Sequence, residues 1–497
     1  KAATYYKAII DEFPKSAYIP AAYYSMGWCL FQESKWPGAL EYFKTVEEKY
    51  PKEPQAKDAS FKIVECLYNS KDYTGLKERL RVYLKAYAKD AVRLAYLYFY
   101  LAEADYYLNN FSEAVQGYTL VLKNSQDDKI RALSKLGEAW SYLKLKKYDD
   151  AQNAFLDIRV DDLEKRSQDV WLLGKAILMV ETNRVNEAKA TYDGLLKTTT
   201  DPLILAQGYL GKADALYNLT EYGQAVKAYK EALDKIKPEV TSPQGETNIP
   251  QEIIDKLHYG LSWAFLKQGE FKEAIREFQK IVKTSSDNIV KVSALCQIGD
   301  AYQDSGDYAK AQETYDMILK DYPDSFYGDY VQYQLGLTLL RLSNYDGAIM
   351  SLLALKRNFP QSKLLDDASY ALGLAYFQRQ DYNSSKSIFE NFENEFKDSN
   401  LKPQALYLLG TSLYNLGSYA QAIEVFKNII RMYGQDIELT QKAEYEIADC
   451  YDQIGDEKEA MTRFKTLRSK YRDSSLSAEV VWWLGEYYYR NNDLTLA

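Results

Sequence analysis

Residues 298–323 have the sequence IGDAYQDSGDYAKAQETYDMILKDYP, and this stretch decides the fold. In it, the small residue Gly299 precedes a second small residue, Ala311, by twelve positions. The aromatic Tyr315 follows Ala311 after four positions, and Pro323 closes the segment. Both small residues lie in segments with helical periodicity, so the stretch predicts two helices joined by a short turn.

The position of Ala311 recurs along the whole chain. It falls at residues 2, 39, 76, 114, 151, 188, 225, 274, 311, 348, 385, 422, 460 and 497, with Leu76 and Ser385 in place of alanine. Ten of the thirteen intervals are 37 residues long, which indicates a tandem repeat. Small residues twelve apart would let the two helices of a pair approach backbone to backbone. One pair cannot bury both of its faces, so the pairs must stack into a solenoid.

The order small, aromatic, glycine, aromatic, small, aromatic, proline is nearly complete when LGLAYFQRQDY (372–382), LGTSLYNLGSYAQAIEVF (409–426) and residues 298–323 are compared. These segments resemble the tetratricopeptide repeat, and the resemblance covers essentially the whole chain. It implies an all-α fold, a right-handed superhelical solenoid of about 13 antiparallel helix pairs.

The period of 37 residues exceeds the 34 residues that the tetratricopeptide repeat usually has. The extra residues follow the helix-ending proline in phrases such as YPDSFYGD and FPQSKLLD. We expect the serine of each phrase to N-cap a first helix lengthened by about one turn. These serines are Ser16, Ser325, Ser362, Ser399 and Ser474. This longer variant is similar to tetratricopeptide proteins of bacterial envelopes, such as the Tol–Pal coordinator and the barrel-assembly lipoprotein.

One interval is 49 residues long, and its surplus lies in KPEVTSPQGETNIP, residues 237–250. The sequence therefore predicts a first half of the array at 1–236, an inserted loop at 237–250 and a second half at 251–497. The loop is either a partner-binding segment or joint between the halves, or a tolerated surface insertion. The chain starts inside a second helix and stops inside a repeat, so we expect a fragment of a longer protein.

The composition leaves little material for catalysis. The chain has one histidine, His258, and four cysteines, and it lacks phosphate-binding, dinucleotide-binding and zinc-protease motifs. We expect His258 to be a packing or surface residue, and Cys29, Cys66 and Cys450 to be buried free thiols. A net charge of −9 without a basic run disfavours nucleic acid, and the apolar run Ala95–Ala102, which Leu94 extends by one residue, is too short to span a bilayer. The prediction is a protein that is not an enzyme and has no cofactor or metal.

The resemblance places the first helix of each pair on the concave side of the superhelix. Many inner positions are aromatic although the repeat signature does not require it, and tyrosine and tryptophan are common binding anchors. The predicted partner-binding residues are Tyr24, Trp28, Phe61, Tyr68, Phe99, Tyr106, Trp140, Tyr217, Tyr259, Trp263, Tyr333, Tyr370, Phe377, Tyr407, Tyr414, Tyr445 and Trp482. Further inner positions hold Phe31, Tyr96, Tyr107, Tyr330 and Tyr489. The alternative role for each is packing against the next repeat.

These observations predict a non-catalytic scaffold or adaptor that binds partner proteins or peptide segments along an aromatic concave groove. The resemblance implies a bacterial cell envelope and a periplasmic location, while a cytoplasmic location stays open. The first alternative is a structural spacer or spoke in a large homo-oligomeric or hetero-oligomeric machine. The second is the regulatory arm of an enzyme whose catalytic domain lies outside this chain.

Overall fold

The computed structural model describes residues 1–236, 249–472 and 476–491 of the chain. These residues form 26 α-helices and one short 3-10 helix at Val160–Asp162, and they contain no β-strand. Two compact units are present, Lys1–Leu257 and His258–Ala497. The predicted all-α array of helix pairs is therefore confirmed.

The first unit begins with a second helix and continues with six complete pairs. Its helices are α1 (Ala2–Glu12), α2 (Ile19–Gln32), α3 (Trp36–Lys49), α4 (Pro54–Asn69), α5 (Tyr73–Ala86), α6 (Ala91–Tyr107), α7 (Phe111–Asn124), α8 (Asp128–Lys144), α9 (Tyr148–Leu156), α10 (Lys165–Glu181), α11 (Val185–Thr198), α12 (Pro202–Asn218) and α13 (Tyr222–Lys235). Residues 237–248 of the predicted loop lie outside the described residues. The proposed boundaries at 236 and 251 stay a prediction.

The division between the units falls inside α14 (Gln251–Lys267). The following helices are α15 (Phe271–Thr284), α16 (Asn288–Asp304), α17 (Tyr308–Asp321), α18 (Gly328–Arg341), α19 (Tyr345–Asn358), α20 (Leu365–Gln378), α21 (Tyr382–Glu395), α22 (Lys402–Asn415), α23 (Tyr419–Tyr433), α24 (Ile437–Ile454), α25 (Glu457–Lys470) and α26 (Ser477–Arg490). Even-numbered helices are the first helices of their pairs, and all thirteen predicted first helices are present.

A residue with left-handed backbone geometry closes the turn inside each of the twelve complete pairs in the described part of the chain. Its φ lies between 57° and 89°. Glycine occupies four of these positions, at Gly269, Gly306, Gly417 and Gly455, and polar side chains or lysine occupy the others. Glycine and asparagine adopt this region most readily, which explains the glycine and polar residues in the turn pattern.

The small residue that recurs in the second helices is completely buried. From the first pair to the twelfth it is 0% exposed in every case, including Leu76 and Ser385. The small residue of the first helix has a different role from the predicted backbone-to-backbone contact. A Cβ atom added to Gly299 would lie 2.4 Å from Cε1 of Tyr315, so the missing side chain makes room for the ring of the second helix. Direct approach of two helices occurs at Gly117, whose added Cβ would lie 2.8 Å from Cβ of Ala102.

We expect Gly373→Ala to lower the free energy of unfolding by about 1–3 kcal/mol. Its Cβ would lie 2.4 Å from Cζ of Phe389, a ring that is 1% exposed and therefore has little room to move. Gly194→Ala is the matched control, because nothing lies within 4 Å of its added Cβ. That change should stabilise α11 by about 0.5–1 kcal/mol. Urea unfolding measures both, and equal effects of the two substitutions would contradict the packing account.

Most first helices begin in one of two ways. Helices of 17 residues, such as α8 and α16, begin directly after an aspartate. The side chain of Asp127 accepts hydrogen bonds from the N–H groups of Lys129 and Ile130, and Asp287 accepts one from Ile289. These aspartates are N-caps that satisfy donors of the first turn.

The serines of the proline phrases are not N-caps, and that prediction is wrong. Helices α2, α18, α20 and α22 have 14 residues and begin three residues after the serine. Each serine hydroxyl accepts a hydrogen bond from the N–H two residues later, at 3.1–3.2 Å, as seen for Ser16, Ser325, Ser362 and Ser399. A serine side chain closes such a local turn readily, so the extra residues form a separate turn before the helix. Ser474 lies outside the described residues.

The second helices α3 to α11 and α17 to α25 each pack between the first helix of their own pair and the first helix of the next, as α7 does between α6 and α8. First helices also touch one another directly. In the first unit, α2 contacts α4, and this continues through α6, α8, α10 and α12. The first helices of this unit therefore form a continuous layer.

Candidate functional site

All seventeen predicted binding residues lie on first helices, and each keeps some surface exposed. Trp28 and Trp482 are the most open, at 38% and 72% exposure, and the others are half-buried. Partial exposure on the first helices suits a contact surface. It does not by itself separate binding from packing.

Most of these rings make one of two recurrent contacts within their own helix pair. Rings three positions before the small residue pack on the aromatic residue of the second helix, with centroids 5.3–6.3 Å apart, in Tyr24–Phe43, Phe99–Tyr118, Tyr259–Phe278, Tyr370–Phe389, Tyr407–Phe426 and Tyr445–Phe464. Rings four positions after it pack on the residue that opens the second helix, with centroids 5.3–6.1 Å apart, in Tyr68–Tyr73, Tyr106–Phe111, Tyr217–Tyr222, Phe377–Tyr382 and Tyr414–Tyr419. The periodic aromatic residues therefore hold helix pairs together, whatever else they bind.

Four predicted residues come together in one cleft of the first unit. Tyr68, Phe99, Tyr106 and Trp140 line a cavity of about 540 Å³, which also includes Tyr107. The walls come from α4, α6 and α8, and from Ser167, Val170, Leu173 and Gln207 on α10 and α12. We call this cavity the aromatic cleft. The other thirteen predicted residues do not line it.

Helix geometry explains how so many side chains reach the cleft. On α6, Phe99, Glu103 and Tyr106 are spaced four and three residues apart, and therefore share one face. On α8, intervals of three or four residues bring side chains to the cleft in the same way. The lining residues of this helix are Leu133, Leu136, Gly137, Trp140 and Lys144. A Cβ added to Gly137 would lie 2.3 Å from Cζ of Tyr118, so the missing side chain makes room for that ring beside the cleft.

Glu103 is the cleft residue that the sequence reasoning missed. Its Oε2 accepts a hydrogen bond of 2.7 Å from the Tyr68 hydroxyl, and its Oε1 accepts one of 2.6 Å from the buried Tyr118. Burial raises the pKa of the Glu103 carboxyl, although the two tyrosine hydrogen bonds lower it in part. The carboxyl group thus joins α4, α6 and α7 beneath the aromatic walls.

A sequence signal for this carboxyl group exists. In six repeats an acidic residue follows the small-residue position of the first helix directly, namely Glu65, Glu103, Asp214, Asp300, Asp449 and Glu486. In three of them, with Glu103, Asp214 and Asp300, the second helix carries a tyrosine that donates a hydrogen bond to the acid. Tyr192 is a further tyrosine at this position of the second helix, and its repeat has Ile177 in place of the acid. A repeat that combines tyrosine on its second helix with an acidic residue after the small residue of its first helix could have been recognised from the sequence.

We expect Asp300→Asn to flatten the pH dependence of stability of the second unit. Burial raises the pKa of Asp300, whose oxygens accept hydrogen bonds from Tyr315 (2.6 Å) and Tyr330 (2.7 Å). The folded state then binds more protons than the unfolded state from about pH 4 upward, so stability falls as pH rises towards the raised pKa. Asn removes this loss, and the variant should gain stability relative to wild type between pH 4 and pH 8 in urea unfolding. The exposed Asp316→Asn on α17 is the control, and parallel pH profiles for wild type and Asp300→Asn would contradict the expectation.

The single histidine and the cysteines have structural surroundings. His258 Nδ1 lies 2.7 Å from Glu277 Oε2, and both side chains are mostly buried, as expected for a packing residue. Burial raises the pKa of Cys66 and Cys450 to about 12, and Cys29 is half-buried rather than buried. Within the described ranges, no three metal-binding side chains are grouped and no helix is long and apolar enough to cross a membrane.

Comparison with known families identifies the repeat. Models described as tetratricopeptide repeat match residues 1–54 and 293–325, and a model described as the outer membrane lipoprotein YfiO matches residues 338–480. No curated protein matches the chain. Tetratricopeptide repeats bind other proteins or peptides and are generally non-catalytic.

Three solved structures are similar to the chain. A tetratricopeptide repeat protein from Parabacteroides merdae is 17% identical, with a TM-score of 0.36, over 55% of this chain and 96% of its own. The APC/C hetero-tetramer Cut9–Hcn1 is 15% identical, with a TM-score of 0.36, over 97% of this chain and 98% of its own. The apo form of RapI is 13% identical, with a TM-score of 0.46, over 73% of this chain and 99% of its own. From its repeats and the family matches, the chain is a tetratricopeptide repeat protein that resembles the YfiO outer membrane lipoproteins over residues 338–480.

Proposed function

We propose that this protein is a non-catalytic scaffold that binds a segment of a partner protein in its aromatic cleft. The observation that carries the proposal is the convergence of side chains from five first helices on one cavity of about 540 Å³. Cavities of a few hundred cubic ångströms with apolar walls and a few polar groups suit specific ligands. Tyrosine and tryptophan give such a site large contact area at a low cost in conformational entropy.

The proposed setting is the bacterial cell envelope. The match of residues 338–480 to a family of outer membrane lipoproteins supports this setting. In that setting the second unit carries the lipoprotein-like segment, while the cleft belongs to the first unit. The protein would thus hold a partner through one unit while the other serves a separate contact.

A second candidate is the structural spacer, and one surface favours it. Phe326 is 90% exposed in the turn before α18 and lines a groove of about 470 Å³ together with Ile289, which is 65% exposed. Large exposed apolar residues often mark a protein interface. In this account the groove at Phe326 and Ile289, rather than the cleft, would contact the neighbouring molecules.

Site-specific photo-crosslinking in cells distinguishes the two candidates. We would place p-benzoylphenylalanine at Gln207 in the cleft, at Phe326 in the outer groove and at the exposed Thr198 as a control. Crosslinks to a distinct protein from Gln207, with none from Thr198, are the expected result. Crosslinks from Phe326 alone would replace the adaptor with the spacer, and equal yields from all three sites would contradict both.

A further inference from the structure

We propose that the aromatic cleft receives the cationic side chain of a lysine or arginine from the bound segment. This inference rests on the proposed function, because it specifies which chemistry the cleft selects. Its elements are a carboxyl group beneath the cleft and the aromatic rings around it, and the chain holds one of its own lysines in a similar setting elsewhere.

The carboxyl group is the first element. Each oxygen of Glu103 accepts one tyrosine hydroxyl, from Tyr68 or Tyr118. A carboxylate oxygen can accept more than one hydrogen bond, so both oxygens keep capacity for a further donor. Glu103 is half-buried and lines the cleft, so an entering ammonium or guanidinium group can reach it. Hydrogen bonds between such charged groups are the strong ones.

The rings are the second element. Tyr107 is nearly perpendicular to Tyr106, at 88° with centroids 5.6 Å apart, and inclined at 63° to Tyr68 with centroids 6.3 Å apart. Its own ring is held by stacking on Tyr73, at 4.6 Å and 9°. Differently oriented aromatic faces around one space are the arrangement that recognises cations through the ring quadrupole.

The chain contains an internal precedent in its first two pairs. Lys62 Nζ lies 4.4 Å from the ring centroid of Trp28 and 4.9 Å from that of Phe31, and it pairs with Glu65 at 2.6 Å. Trp28 and Phe31 stack on each other, so two aromatic rings and one carboxylate surround the lysine. On the same face of the array, a lysine in an aromatic and acidic setting is therefore a stable arrangement.

The cleft contains the same kinds of group without a lysine, although in a different order. Lys62 and Glu65 lie on the first helix after that of Trp28, whereas Glu103 lies on the first helix before that of Trp140. The first helix after Trp140 carries Gly174 at the repeat position of Lys62. Among the described residues, no lysine or arginine lies over the ring of a cleft residue. A cation that binds at these rings would therefore come from another chain.

Among the described residues that line the cleft, Lys144 carries a positive charge. Lys144 is exposed and lines it one turn after Trp140, so it opposes an incoming cation. We expect its charge to weaken the binding of a cation without reversing the preference for one, because the lining also contains Glu103 and the tyrosine rings. Removing the charge of Lys144 should therefore increase the affinity for a cationic ligand.

Peptide titration tests the inference on the full chain. The probes are acetylated and amidated pentapeptides Gly-Leu-X-Leu-Gly, with lysine, norleucine or glutamate at X, titrated by isothermal calorimetry. We expect the lysine peptide to bind about tenfold more tightly than the norleucine peptide. Glu103→Gln should remove this preference while the norleucine peptide binds as before, and Lys144→Gln should tighten the lysine peptide. Asp300→Asn, which changes a similar tyrosine-bonded carboxyl group outside the cleft, should change neither.

The outcomes separate this inference from the proposed function. Equal affinity for lysine and norleucine would overturn the cationic selection and leave the cleft as a general peptide site. Tightest binding of the glutamate peptide would also overturn it, because Lys144 would then be the recognising charge. Absence of binding by all three peptides up to millimolar concentration would contradict both proposals. Tyr107→Leu is the second variant, and a retained lysine preference in it would show that the rings do not contribute.

Discussion

Phe426→Ala is expected to lower the free energy of unfolding by about 3–5 kcal/mol. The ring is 0% exposed and packs against Tyr407, with centroids 5.8 Å apart. It also fills the space that Gly410 leaves, because an added Cβ there would lie 2.5 Å from Cε1 of the ring. Glycine cannot close the resulting cavity, so the loss should fall at the upper end of the range.

Urea unfolding followed by circular dichroism measures this loss. Phe326→Ala is the matched control, because the same ring is removed from a site that is 90% exposed, and the change should stay within about 0.5 kcal/mol. Adding Gly410→Ala to Phe426→Ala should recover part of the stability, although the glycine change alone destabilises. Additive losses in the double variant would show that the ring and the glycine do not share one space.

The repeat could be predicted from the sequence because each of its parts answers a local requirement. The small residue of the second helix is buried without exposed surface in all twelve complete pairs, and each turn needs a residue with positive φ. Such requirements recur at fixed spacing and are therefore visible in one sequence. The helix starts were less predictable, because Ser325 could equally cap a helix or close a turn, and its hydroxyl finds the nearer N–H group of Tyr327.

The candidate site was only partly predictable, because it does not follow from requirements that recur at fixed spacing. Aromatic residues at regular positions, such as Tyr217 and Tyr414, contact the start of their own second helix and so reflect the repeat itself. The cleft depends on Glu103 and Trp140, which share a repeat position that carries no single residue type along the chain. Its lining extends from α4 to α12, and only stacking of the pairs brings these helices to one cavity.

Tyr106→Leu combined with Trp140→Leu is expected to weaken binding of the lysine pentapeptide by about 30-fold, which corresponds to about 2 kcal/mol. Both rings line the cleft, and leucine keeps an apolar side chain while removing the aromatic face. Tyr217→Leu with Trp263→Leu is the matched control. Tyr217 packs on the start of its second helix as Tyr106 does, and Trp263 occupies the repeat position of Trp140, yet neither lines the cleft.

Because the two double variants lose the same kinds of ring from equivalent repeat positions, they should lose similar stability. A difference between them in calorimetric affinity therefore reports contact with the ligand rather than damage to the fold. Equal weakening by both would place binding along the whole aromatic face, as the sequence alone predicts, and would contradict a single cleft. Unchanged affinity in the cleft variant would instead assign its rings to packing alone, which the ring contact between Tyr106 and Phe111 already provides.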